Sequence, residues 1–151
     1  DWVEFIKGTF ARTGKSIGDD VCEEIVARVQ NHPYYVQQLA QQVWLRTDKV
    51  ATLDAVDEAH STITAQLCLM FDTMTQTLTN QQLCLLRAMS AGEKNLTSKA
   101  AMDKYRLSSP TMISRARKAL VEKDILDNIA GVYSFQDPVY AYWLKHQYFL
   151  L

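Results

Sequence analysis

Apolar positions along the chain recur mostly at intervals of three and four, the period of a helix, and strand-like alternation is rare. Trp2, Phe5, Ile6 and Phe10 predict a first helix, and Gly14 stops it. Gly18-Asp19-Asp20 starts a second, with acidic residues at the favourable end of the helix dipole. Its apolar stripe is Val21, Ile25, Val26 and Val29. Asn31-His32 can cap a third helix that has Pro33 in its first position. Val36, Leu39, Ala40 and Val43 form the buried face there, widened by Trp44. Thr52 then caps a long helix whose stripe runs through Val56, Ala59, Ile63, Leu67, Met70 and Met74.

The second half changes rhythm. Thr79-x-x-Gln82 is a capping-box pattern, with Leu78 placed to staple against Leu83. Leu83, Leu86 and Met89 mark a stripe that ends near Gly92. Thr97 or Ser98 starts a short helix through Ala101 to Tyr105, and Leu107 closes it. Ser109 and Pro110 suit the cap and first residue of a third helix. Met112, Ala116 and Ala119 share one face of that helix with Lys123, and Leu120 lies beside it. Ile125-Leu126, a turn at Ala130-Gly131, and Val132 to Phe135 read as a β-hairpin. Three helices and a two-stranded wing make a winged helix-turn-helix. The expected fold is therefore mainly α: a small helical bundle over residues 1–75, then a winged helix over 76–151.

Charge sharpens the division. Residues 1–75 carry 6 Lys+Arg against 11 Asp+Glu, a net −5, and residues 76–151 carry 10 against 6, a net +4. The second part is the more compatible with a polyanion. Thr111, Ser114, Arg115 and Lys118 share the polar face of the third winged-helix helix, at the N-terminal half where a DNA-reading helix needs donors. Lys99, Lys104 and Arg106 are candidate phosphate contacts. Against DNA binding, the wing "DNIAGVYSF" has no Lys or Arg.

Other chemistry is sparse. Cys22, Cys68 and Cys84 form no CxxC pair, and His32, His60 and His146 add no metal-ligand spacing. Buried, reduced thiols, no metal site and a cytoplasmic setting are the expectation. No apolar run approaches the ~18 residues of a membrane span, so no membrane partner is expected. "RTGKS" contains Gly-Lys-Ser, but Thr9 stands where a phosphate loop has its first glycine. A helix also precedes it, where the loop needs a strand. The chain has no set of nucleophile, base and oxyanion donors. No catalytic residue and no ATP hydrolysis are therefore expected of it. The sequence starts at Asp1, with no initiator Met, which suggests a piece of a longer protein.

"FIKGTFARTGKSIGDDVCEEIVARVQNHPYYVQQLA" resembles the helical lid of the archaeal and bacterial STAND-type ATPases of the AAA+ superfamily. "LTNQQLCLLRAMS", "LSSPTMISRARKALVEKDIL" and "YSFQDPVYAYWLKHQY" follow in the order of the winged helix that succeeds that lid. The last stretch is similar to a terminal signature carried here by Asp137, Pro138, Tyr140, Trp143 and Leu144. The resemblance implies that Pro33, flanked by His32 and Tyr34, lies over the adenine of a bound nucleotide. Asn31 stands where the family has glycine, and asparagine tolerates the left-handed backbone that turn needs. It further implies an upstream nucleotide-binding core as partner, with ATP or ADP and Mg held by the whole protein. The winged helix would then transmit nucleotide state or contact another protein. The alternative is a DNA-binding transcriptional regulator whose helical N-terminal domain binds a partner.

Overall fold

The computed structural model describes all residues, Asp1–Leu151. Eight α-helices precede, flank and follow one antiparallel hairpin. In chain order they are α1 (Trp2–Ala11), α2 (Asp19–Arg28), α3 (Pro33–Leu45), α4 (Leu53–Gln76), α5 (Asn80–Ser90), α6 (Lys99–Tyr105) and α7 (Pro110–Glu122), then strands β1 (Leu126–Ile129) and β2 (Val132–Phe135), and α8 (Pro138–Trp143). A single wide helical turn, Leu144–Tyr148, extends α8. The chain forms two compact units, Asp1–Leu67 and Cys68–Leu151, which divide inside α4 rather than at the 75/76 border expected from charge and capping.

In the first unit, α2 packs against both α1 and α3. Ile6 and Phe10 of α1, Val21, Cys22 and Ile25 of α2, and Val36, Leu39 and Val43 of α3 are buried. Phe5 is half exposed, and Val26 is only partly covered, so the expected stripes are narrower than the sequence suggests. Two connecting loops are sewn together. The Ser16 amide donates to the Lys49 carbonyl at 2.8 Å, and the Ala51 amide donates to the Ser16 carbonyl at 2.9 Å. This parallel bridge joins residues far apart in sequence, and no periodicity announces it. Lys15 donates to the Trp44 carbonyl at 2.8 Å, with its ammonium 4.0 Å from the Trp44 ring centroid. The lysine of "RTGKS" therefore holds the end of α3 to the loop after α1.

Thr52 caps α4 by accepting from the Ala55 amide at 3.2 Å. The first half of the expected α4 stripe is buried at Val56, Ala59 and Ile63. The second half is not as expected. Phe71 and Thr75 are covered, whereas Met70 is 48% exposed and Met74 only half-buried. Val56 and Met74 are five whole turns apart, so the stripe itself does not drift; the buried face changes because the end of α4 belongs to the second unit and packs there through Phe71 and Thr75.

Phe71 and Thr75 meet α8. The Phe71 ring lies 5.2 Å from Tyr140 and 5.7 Å from Trp143, centroid to centroid. The Thr75 hydroxyl donates to the Phe71 carbonyl at 2.7 Å and shares a 2.8 Å hydrogen bond with the Tyr140 hydroxyl. Burial pushes the Tyr140 phenol up, and the Thr75 bond offsets part of that. Asp137 caps α8 through the Val139 and Tyr140 amides, which aims Tyr140, Trp143 and Leu144 inwards.

The winged helix is assembled as the pattern predicts. Thr79 and Gln82 form the full capping box on α5. Ser98 and Ser109 cap α6 and α7. Two details of the core differ. On α5, Leu85, Leu86 and Ala88 are buried, while Leu83 and Met89 are half-buried. On α7, Ile113 joins Ala116 and Leu120 in the core and Met112 sits at its margin. Removing a fully covered residue such as Leu120 costs about 2–5 kcal/mol. β1 and β2 pair from Leu126 with Phe135 to Ile129 with Val132. Ala130 and Gly131 turn between them at φ 52 and 83, a pair of left-handed residues that twists with the strands.

Candidate functional site

The residues that sequence reasoning singled out fall on three surfaces and one isolated position, Lys99. The first is the turn from α2 into α3. Gln30 and Asn31 both adopt left-handed angles, φ 49 and 60, as expected for the asparagine. The Asn31 amide closes back on the Val26 carbonyl at 3.0 Å and the His32 amide on the Val29 carbonyl at 2.9 Å. This tight reversal sets Pro33 at the first position of α3, exposed, with Tyr34 61% exposed beside it. His32 occupies the cap position without a side-chain bond to the helix. Its ring instead leans on Tyr35, centroids 5.0 Å apart, and its Nδ1 is covered with no hydrogen-bond partner. The result is an outward edge of Pro33 and Tyr34, backed by His32.

The second surface is the polar face of α7. Thr111, Ser114, Arg115 and Lys118 are all exposed, and none of their side chains is engaged in a hydrogen bond or ion pair. The Ser109 cap and Pro110 fix the N-terminal end of this helix, while Ile113, Ala116 and Leu120 anchor its other side. Lys99 stands at the exposed first position of α6.

Lys104 and Arg106 are brought together with a residue that sequence reasoning passed over. They line a groove with Arg87 of α5, and no α7 residue borders it. Arg106 has a left-handed backbone, φ 57, at the end of α6. Gln81 fastens this turn to α5. Its amide nitrogen donates to the Arg106 carbonyl at 3.0 Å, and its amide oxygen accepts from the Ser108 amide at 3.0 Å. The signal was faint in sequence, because the three cations lie on two helices and a turn and only the fold gathers them.

The wing is built differently from a phosphate-gripping one. Ile129 and Val132 at its tip are 71% and 67% exposed, and the cations beside it, Lys94 and Arg117, come from outside the wing and border a groove with Gly131, Val132 and Tyr133. The Arg117 guanidinium carbon sits 4.9 Å from the Tyr133 ring centroid, holding the wing to α7, and its Nε is covered without a partner. Asn128 ties the hairpin internally by accepting from the Gly131 amide at 3.0 Å.

The cysteines are all free thiols, but only Cys22 is buried; Cys68 and Cys84 are half-buried, against the expectation of three buried ones. No group of three or more His, Cys, Asp or Glu residues is placed to hold a metal ion. No helix is long and apolar enough to cross a membrane.

A solved structure of a Walker-type ATPase from Pyrococcus abyssi shares this fold, with a TM-score of 0.72 at 16% sequence identity. The similarity covers 95% of this chain and 41% of the ATPase, so the chain spans about two fifths of that protein's length. Among curated proteins, none matches. A family model described as a probable winged helix domain matches residues 69–146, more than half of the 151 residues and nearly all of the second compact unit. With three capped helices, a two-stranded wing and that match, the chain belongs to the family of probable winged helix domains.

Proposed function

We propose that the chain is the lid and winged-helix region of a STAND-type AAA+ ATPase and works as a regulatory module for an upstream nucleotide-binding core. The observation that carries this reading is the shared fold with a Walker-type ATPase over 95% of the chain, spanning both compact units. The α2–α3 turn fits the adenine side of such a site. Pro33 and Tyr34 offer an exposed, largely apolar edge at a helix start, on a backbone held by Asn31. Phosphates and Mg would be held by the core, since the chain has no phosphate loop and Lys15 is committed to Trp44. A nucleotide bound between core and lid supplies the contacts that favour one arrangement over another. The winged helix responds as a population shift between a packed and a released position. The chain itself carries no hydrolytic residues in this reading.

The test uses the protein that joins this chain to its nucleotide-binding core. Pro33→Ala is expected to weaken nucleotide affinity several-fold while lowering the midpoint of thermal unfolding only slightly, since a helix-start proline contributes about 0.4–1 kcal/mol through the unfolded chain. Unchanged affinity in a folded variant would return Pro33 to a purely structural role.

A second reading, a DNA-binding regulator, is favoured by one observation: the unengaged Thr111, Ser114, Arg115 and Lys118 on a rigidly capped helix. The uncharged, apolar wing tip weighs against it.

A further inference from the structure

We propose that the groove between α5 and the α6–α7 turn is a binding site for a compact oligophosphate, a di- or triphosphate group free or on a nucleoside. The groove has a volume of about 630 Å³ and is lined by Arg87, Lys104 and Arg106, together with Asn80, Tyr105 and the C-terminal Leu151. No Asp or Glu side chain borders it. No carboxylate lies within 4.0 Å of any of the three cations, because all four ion pairs in the chain involve other residues.

Helix dipoles explain part of this cluster but not all of it. Arg87 lies in the last turn of α5, and Lys104 in the last turn of α6 with Arg106 just after it, where cations are favoured. Each helix C-terminus presents roughly half a negative charge. Set against the three cations, two such ends and the main-chain carboxylate of Leu151, which also lines the groove, leave a surplus of about one positive charge across one concave surface, which favours an anion.

The backbone adds an independent argument. Arg106 is held at φ 57, a conformation that suits glycine and is unfavourable for a residue with a side chain. The Gln81 amide fixes that turn to α5 through Arg106 and Ser108. A glycine would satisfy the turn, since Gln81 grips only the Arg106 carbonyl. Arg106 therefore carries its side chain at a cost in backbone strain, and its backbone is tied to α5, the helix that bears Arg87. Such preorganisation suits a ligand with several acceptors at fixed spacing, as linked phosphates have. The site is separate from both the Pro33 edge and the α7 face.

Isothermal titration of the 151-residue chain with inorganic tripolyphosphate, at ~0.15 M salt near neutral pH, tests this. Saturable one-to-one binding is expected. Arg87→Gln and Arg106→Gly should each weaken it about tenfold or more. Arg106→Gly should also raise the unfolding midpoint by roughly 2–4 °C, so lost binding cannot be put down to misfolding. Arg115→Ala and Pro33→Ala should leave the affinity within about twofold, which separates this site from the α7 face and from the proposed lid site. A parallel titration with ATP distinguishes the sources. Affinity equal to tripolyphosphate assigns a free oligophosphate, and tighter, groove-dependent affinity assigns a nucleotide. The proposal is overturned by no saturable binding of either probe, by wild-type affinity in Arg106→Gly, or by an equal loss in Arg115→Ala, which would mean diffuse attraction to surface charge.

Discussion

Cys22 and Lys15 show how far a residue's type is from its role. Both occur where a motif search would stop: a thiol in an acidic helix, and a lysine in Gly-Lys-Ser. In the fold, Cys22 is fully covered, and its thiol is pushed up to about 11 by burial, with Lys7 pulling the other way and Asp19 adding to the rise. A thiol raised above its unfolded value of 9.0 contributes stability that is complete below about pH 9 and is lost as pH climbs through about 11. The expected outcome is a fall in the urea midpoint across that alkaline window. At about pH 8, alkylation should reach the half-buried Cys68 and Cys84 well before Cys22. Rapid labelling of Cys22 in the folded protein would refute its burial. In sequence, Thr9 at the place of a first glycine sets Lys15 apart from a phosphate loop, and in the fold a helix precedes it where such a loop needs a strand. The actual partner of Lys15, the Trp44 carbonyl, lies 29 residues away and could be found only in the fold.

At the scale of elements, caps and turns were more legible than core faces. Thr52, Thr79, Ser98, Ser109 and Asp137 each accept the backbone bonds that their residue types predict. A cap is a local interaction, and its signal lies within four residues. A buried face depends on the rest of the domain. On α7 the core takes Ile113 where the sequence favours Met112, and on α4 it takes Phe71 and Thr75 where the stripe points to Met70 and Met74. In each helix part of the expected face is kept, Ala116 on α7 and Val56, Ala59 and Ile63 on α4, and the rest is shifted by one position, which depends on what the helix packs against rather than on periodicity. The hairpin gives an element-scale prediction. Its turn holds Ala130 at φ 52 before Gly131 at φ 83. Asn is at ease there and Ala is not. Ala130→Asn should therefore stabilise the chain by about 0.5–1 kcal/mol, seen as a higher urea midpoint at unchanged slope. A lower midpoint would mean that the wing is not held in this turn.

At the scale of the whole molecule, the order of elements was readable because both units are helical and their caps punctuate the chain. The division between units was less so. It falls at Leu67–Cys68, within a helix whose sequence shows no break. The charge contrast persists across that division, with 6 Lys+Arg against 10 Asp+Glu in residues 1–67 and 10 against 7 in residues 68–151. What a net positive winged helix does with nucleic acid turns on where its charge sits. Arg115 and Lys118 are on α7, Lys99 is at the start of α6, and Arg87, Lys104 and Arg106 border a separate groove. The wing adds no cation, and its tip exposes Ile129 and Val132. Dispersed charge of this kind supports weak, salt-sensitive attraction to any duplex rather than a registered grip. The expected result of titrating the chain at ~0.15 M salt against random and genomic duplexes is therefore no sequence-selective saturation. If α7 instead reads base edges, Arg115→Ala should cost roughly 1–3 kcal/mol and relax sequence preference, because a bidentate base contact would be lost. Lys99→Ala would then weaken all sequences alike and reduce the salt slope by about one. Selective binding that disappears in Arg115→Ala would overturn the regulatory reading of this winged helix and make α7 a DNA-recognition helix.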